Sequence, residues 1–269
     1  MLMTLKGGEI LYPVRNALWG GPVADFLSNA KRHLYEDATN VLGCQVWDPK
    51  GEDDDYPARF YNYFLERILH CVRRKDHGGT IIIVPCQIAK DDTRLTDRIN
   101  IKYACSYNYA WDVMVESLVN HRKYYDRHFP MWDGKCALTK DLFREYSLLA
   151  TEEDELDEAL ADAAETIAGL TCVDGAVVMT DKLHVLGFGA EVIAASPSLR
   201  EIVVAARPKH RRVGIESYGT RHRAAFRFCS SFEDSVVFVV STDGGVKVVK
   251  RVGSNVLLWP DINTGAMGL

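Results

Sequence analysis

Two short segments carry the residue types that could do chemistry. The first is Asp174-Gly175-Ala176, immediately ahead of the apolar run 177–180. A carboxylate beside two small residues at the mouth of a strand suits a divalent metal, because a ligand can then approach the backbone. Asp-Gly is also an ordinary turn dipeptide. The second segment is Gly219-Thr220-Arg221-His222-Arg223-Ala224-Ala225. Gly219 permits a tight turn, and Thr220 can cap the helix that follows. The free N–H groups of a helix's first turn favour an anion. Arg221 and Arg223 add planar, permanently charged forks that match phosphate oxygens, and Ala224 and Ala225 let the helix lie close to a sheet. A surface helix with solvated arginines is the alternative reading of the same residues.

The charge balance says where an anion would have to bind. Lys and Arg number 32 against 37 Asp and Glu, a formal net charge of −5. That argues against a surface built wholesale for nucleic acid. A polyanion site must then be a local basic pocket, and Arg207, Lys209, Arg211, Arg212, Arg221, Arg223 and Arg227 fall in one stretch. Within it, 207–212 reads as a solvated loop, and the cluster lacks the aromatic–basic interleaving of a single-strand binder. The 7 cysteines include no C-x-x-C pair and read as reduced thiols rather than a disulfide framework or zinc site. The N-terminus lacks a signal-peptide apolar region, and no segment approaches the length of a membrane span. The expectation is a cytoplasmic protein with no membrane or nucleic-acid partner. The acidic run Gly51-Glu52-Asp53-Asp54-Asp55-Tyr56-Pro57 lacks the glycine position and distal Glu of an EF-hand and reads as a solvated loop. His121, Tyr124, Tyr125 and His128 read as surface packing.

The elements that must position these residues follow from periodicity. With 269 residues, 47% of them hydrophobic, the chain can bury a large core. Apolar spacing predicts helices over 23–40, 58–74 (Phe60, Phe64, Ile68, Val72) and 110–127. A further helix is expected to start at an N-cap Thr151, with Glu152-Glu153-Asp154 as an acidic first turn, and to bury Leu156, Leu160, Ala163 and Ile167. The β-branched run Thr80-Ile81-Ile82-Ile83-Val84, closed by Pro85, is the pattern of a strand buried on both faces. Residues 173–180 and 183–188 read as strands joined at Asp181-Lys182, and 235–241 and 246–249 as a pair joined at Thr242-Asp243-Gly244-Gly245. Residues 256–259 add an edge strand, and 220–229 a helix. The fold class is α/β, with a mixed central sheet flanked by helices.

In that order, Asp174-Gly175-Ala176 and Gly219-Thr220-Arg221-His222-Arg223-Ala224-Ala225 resemble the signature motifs of the diadenylate cyclase (DAC) domain family. The DNA-integrity scanning protein carries such a domain. Gly78-Gly79-Thr80-Ile81-Ile82-Ile83-Val84 looks like the family's first core strand. The resemblance implies a DAC-like nucleotide-binding domain over 58–259 with an insertion at about 86–150, behind a helical N-terminal extension over 1–57. It implies a metal-dependent enzyme (Mn²⁺ or Mg²⁺) that condenses two ATP into cyclic di-AMP and two pyrophosphates across a face-to-face homodimer of sites. Asp174 would hold the metal; Asp243 either stands in for one of the family's glutamates as a second ligand or is a hairpin-turn residue with no catalytic role. Arg221 and Arg223 would orient the phosphates, and Gly175, Ala176, Gly219, Thr220 and His222 would line the nucleotide. Three departures stand out. Val173 replaces the His that many members carry before Asp-Gly-Ala, Ser241-Thr242-Asp243-Gly244-Gly245 stands where many carry a glutamate pair, and the segment between the motifs is longer than in compact members. A non-catalytic sensor of ATP or cyclic di-AMP that keeps the phosphate cradle is the alternative.

Overall fold

The computed structural model describes residues 4–6, 9–11, 17–44, 56–132, 139–195, 198–205, 210–242, 245–262 and 264, the side chains of 4–6, 9–11 and 127–132 excepted. In chain order the elements are β1 (Thr4–Lys6), β2 (Glu9–Leu11), α1 (Pro22–Leu42), α2 (Tyr56–Arg74), β3 (Gly79–Val84), α3 (Thr93–Thr96), β4 (Ile99–Tyr107), α4 (Tyr109–Trp132) and α5 (Lys140–Leu170). They continue with β5 (Ala176–Thr180), β6 (Val185–Val192), β7 (Glu201–Val204), β8 (Arg211–Gly214), a 3₁₀ turn (Ile215–Ser217), α6 (Thr220–Ser231), β9 (Val236–Val240), β10 (Val246–Val252) and β11 (Asn255–Trp259).

Nine strands form one mixed sheet in the order β4-β6-β5-β3-β9-β10-β11-β7-β8, while β1 and β2 pair apart from it. β3 and β5 run parallel and in register, Ile81 beside Val177 and Val84 beside Thr180. β9 lies antiparallel on the other side of β3. All six residues of β3 are buried, because helices cover both faces of the sheet. Alternation along the strand assigns the faces. Ile81 and Ile83 join one core with residues of α1, α2, α4 and α5, and Ile82 and Val84 join a second core with Phe226, Phe228 and Cys229 of α6.

Several expectations are corrected. Thr151 is not an N-cap. It lies inside α5, which starts at Lys140 with the Thr139 hydroxyl accepting from the Leu142 N–H. The acidic first turn was a strong local signal, but α5 continues upstream of it against α4, where the Asn120 side-chain amide donates to the Leu149 carbonyl at 3.0 Å and Tyr124 meets Tyr146. Leu156, Leu160, Ala163 and Ile167 are buried, as their spacing predicts. β11 is not an edge strand, since β7 pairs parallel to it and β8 closes the sheet. Arg211 and Arg212 belong to that closing strand rather than to a loop. β4, unforeseen in the sequence, forms the opposite edge through antiparallel pairing with β6. α1 buries Val23, Leu27, Ala30, Leu34 and Ala38 in the same core as α2. His121 and Tyr124 bind α4 to α5, His121 Nδ1 lying 2.9 Å from Glu153 Oε1 and the Tyr124 hydroxyl 2.7 Å from that of Tyr146. No helix among the described residues is long and apolar enough to cross a membrane. The run 51–55, Arg207, Lys209, Asp243, Gly244 and the His128 side chain lie outside what is described.

Candidate functional site

The two motifs meet. A cleft of about 860 Å³ opens on the α6 face of the sheet, lined by Asp174, Gly175 and Ala176 on one side and by Gly219, Thr220, Arg221 and His222 on the other. Its floor is the buried face of the central strands, with Thr80 and Ile82 of β3, Ala176 of β5, Ala190 of β6 and Val239 of β9. Lys102 of β4, Glu191 of β6, and Ser241 and Thr242 after β9 complete the wall.

Local geometry explains how each motif is placed. Gly175 has φ +117, and a Cβ there would come within 2.5 Å of the Gly189 carbonyl carbon and 2.7 Å of the Ala190 nitrogen. Only glycine lets the bend before β5 press against the β6 backbone in this conformation. Asp174 is thereby held at the strand mouth with an exposed side chain. α6 is anchored from below by Phe226, fully buried and edge-on to Tyr218 at 5.2 Å between ring centroids. Ala225, 1% exposed, seats the helix against the sheet.

The helix start differs from expectation in two ways. Thr220 is the first helical residue, and the N-cap is Gly219, which provides no side-chain hydrogen bond. Gly219 has φ −67 and ψ 170, a conformation any residue adopts, so a tight turn is not what requires glycine here. A Cβ at Gly219 would meet nothing within 4 Å. The glycine instead keeps open the space above uncapped first-turn N–H groups, the geometry that receives an anion.

The two arginines part company. Arg221 is exposed and lines the cleft. Arg223 is absent from the lining and lies 3.5 Å from Glu216 Oε2 through Nη1. Helical spacing accounts for this, since positions two apart in a helix point to different sides. His222 lines the cleft with its ring 5.7 Å from that of Tyr218.

Comparison with protein-family models, curated proteins and solved structures finds no match. Among the described residues no group of three His, Cys, Asp or Glu could hold a metal ion unaided. Asp174 and Glu191 are the cleft's carboxylates. A magnesium-like cation commonly takes one or two carboxylates and completes its shell with waters and substrate phosphates, so this donor set fits a metal brought in with a nucleotide. Lys102 and Glu191 were not foreseen in the sequence. The alternation of Ile99 and Ile101 was the one available signal for β4, and it is too short to separate that strand from the polar stretch around it.

Proposed function

We propose that the cleft is a nucleotide site of the diadenylate cyclase type and that the chain condenses two ATP molecules into cyclic di-AMP, releasing two pyrophosphates. The observation that carries this reading is the convergence of Asp174-Gly175-Ala176 and Gly219-Thr220-Arg221-His222 on one cleft, although some forty residues separate them in the chain. The triphosphate lies over the start of α6, where uncapped N–H groups and the Arg221 guanidinium meet its oxygens. Thr220 contributes a hydroxyl at the same turn. The apolar floor of Ile82, Ala190 and Val239 receives the uncharged part of the nucleotide. Asp174, with the phosphates, would hold a divalent cation, which would supply positive charge against the negative charge of the leaving pyrophosphate.

The chemistry is then positioning and charge neutralisation. The 3′-hydroxyl oxygen of each nucleotide forms a bond to the α-phosphorus of the other, the bond from that phosphorus to pyrophosphate breaks, and the hydroxyl proton leaves to solvent or a carboxylate. One cleft holds one ATP, so two copies of the chain must face each other. Arg223 has a supporting part, fixing the 3₁₀ turn before α6 through Glu216.

A second reading is a sensor that binds ATP or cyclic di-AMP without turnover. The turning of Arg223 toward Glu216 favours it, because one of the motif's two phosphate forks is then engaged elsewhere. Val173 before Asp174 favours it too. Titration with ATP and with cyclic di-AMP, followed by product analysis of the ATP samples, separates the readings: product supports the cyclase, and tight binding with unchanged ATP supports the sensor.

A further inference from the structure

One residue on the cleft floor is out of keeping with its strand. Thr80 opens the run Thr80-Ile81-Ile82-Ile83-Val84, is 6% exposed, and lines the cleft. Alternation puts it on the same face as Ile82 and Val84, the face covered by α6. Its direct cross-strand partner is Val239 of β9. On the other side, the pairing of Ile81 with Val177 places Thr80 beside Ala176, which in turn pairs with Ala190. Ala190, Ala176, Thr80 and Val239 thus form one row across four strands, and Thr80 is its polar member.

Two other buried threonines bond locally. Thr171 Oγ1 donates to the Ala168 carbonyl at 2.7 Å, and Thr180 Oγ1 accepts the His184 N–H at 3.3 Å. Thr80 Oγ1 has no hydrogen-bond partner among the described residues, yet it is not one of the unpartnered side-chain atoms sealed inside the fold. The space it meets is the cleft. Valine, of the same shape, would continue the apolar run of β3 with no polar group to satisfy. Once a ligand covers the floor and displaces water, the hydroxyl must bond to that ligand or stay unpaired at a cost.

The neighbours indicate which part of a ligand arrives there. Ala176, beside Thr80, is two residues from Asp174. On the nucleotide reading of this cleft, the phosphates lie at the start of α6 with the metal at Asp174, and the group joined directly to the phosphates is the ribose. Its 3′-hydroxyl is the attacking group and must face the second copy, which leaves the 2′-hydroxyl for the floor. We propose, resting on that reading, that Thr80 Oγ1 hydrogen-bonds the ribose 2′-hydroxyl and makes the cleft selective for ribonucleotides over 2′-deoxyribonucleotides. Either hydroxyl can donate or accept. A 2′-deoxy ligand covers the floor but leaves Thr80 unpaired, and that unpaired group is what rejects it.

The test is titration calorimetry of the full chain with the α,β-methylene analogues of ATP and of 2′-deoxy-ATP, beside Thr80→Val and Thr80→Ser. These analogues carry Mg²⁺ but cannot release pyrophosphate, so binding is read without turnover. The wild type is expected to bind the ribo analogue about tenfold or more tighter than the deoxy analogue. Thr80→Val, which keeps the shape and the strand preference, should lose that margin on the ribo analogue and leave the deoxy analogue within about twofold. Thr80→Ser keeps the hydroxyl and should keep the preference. No ribo preference in the wild type would overturn the proposal and leave the nucleotide reading standing. So would a Thr80→Val protein that keeps the preference or weakens both analogues equally. Binding of neither analogue to folded wild-type protein would overturn the nucleotide reading and the proposal with it.

Discussion

Gly175 and Gly219 border the same cleft but answer to different constraints, and substituting them separates architecture from ligand space. At Gly175 a methyl group must overlap backbone atoms of Gly189 and Ala190 at 2.5–2.9 Å, in a conformation of φ +117. Backbone strain of this kind costs ~1–3 kcal/mol, and forced overlap in a packed region adds ~1–3 kcal/mol. Gly175→Ala is therefore expected to lose roughly 2–6 kcal/mol, which at ~2–4 °C per kcal/mol for a chain of this size lowers Tm by roughly 4–24 °C. At Gly219 nothing lies within 4 Å of an added Cβ, and φ is −67. Gly219→Val should change stability by no more than about 1 kcal/mol, the scale of N-cap preferences. Its side chain enters the space over the first turn of α6, so ATP affinity should fall about tenfold or more, about 1.4 kcal/mol. Chemical denaturation of both variants, with ATP titration of those that remain folded, reads both effects. A Gly175→Ala protein as stable as wild type would refute the account of how Asp174 is positioned. A Gly219→Val protein that binds ATP normally would refute the placement of phosphate.

Arg221→Ala should weaken ATP binding by about tenfold or more through loss of a charge-assisted contact, with Tm unchanged because the side chain is exposed; calorimetry and a thermal melt check the pair. Tyr61→Phe should cost about 1–3 kcal/mol in urea unfolding, since it leaves the buried Asp181 carbonyl without the hydroxyl that now reaches it at 2.7 Å. Asp181 predicts a pH dependence. Its folded pKa is raised by burial above the ordinary 3.8, so the folded state holds this proton more tightly than the unfolded chain, and stability falls as pH rises from about 3.8 through the folded value. Asp181→Asn should accordingly melt higher than wild type at pH 7, with the advantage shrinking to nothing below pH 3.8. An Asn variant less stable than wild type at pH 7 would contradict this.

The sequence made the central strands readable because their burial on both faces leaves a compositional mark. Ile81, Ile82 and Ile83 admit few alternatives, and the turns at Asp181-Lys182 and around Gly245 bound their neighbours clearly. The edges were harder. β4 shows the pattern Ile99, Asn100, Ile101, Lys102, Tyr103, in which half-exposed residues dilute the alternation, and β8 is almost wholly polar and exposed. Such strands exist because a neighbour offers hydrogen bonds, which no local pattern records. Thr151-Glu152-Glu153-Asp154 misled for the converse reason, since a good N-terminal signal inside a long helix loses to the packing that carries α5 through it. At the site, residue types and spacing indicated that Asp174 and Arg221 could serve an anion and its metal. That Arg223 leaves the cleft follows from its place two residues after Arg221 on the helix, whereas the joining of Lys102 and Glu191 to the wall depended on tertiary placement.

Whether the cleft turns ATP over is read by incubating the purified chain with ATP and Mn²⁺, beside Asp174→Asn, and identifying the products by mass spectrometry. Cyclic di-AMP and pyrophosphate are expected from the wild type and neither from the variant. Unchanged ATP from folded, self-associated wild-type protein would contradict the cyclase reading.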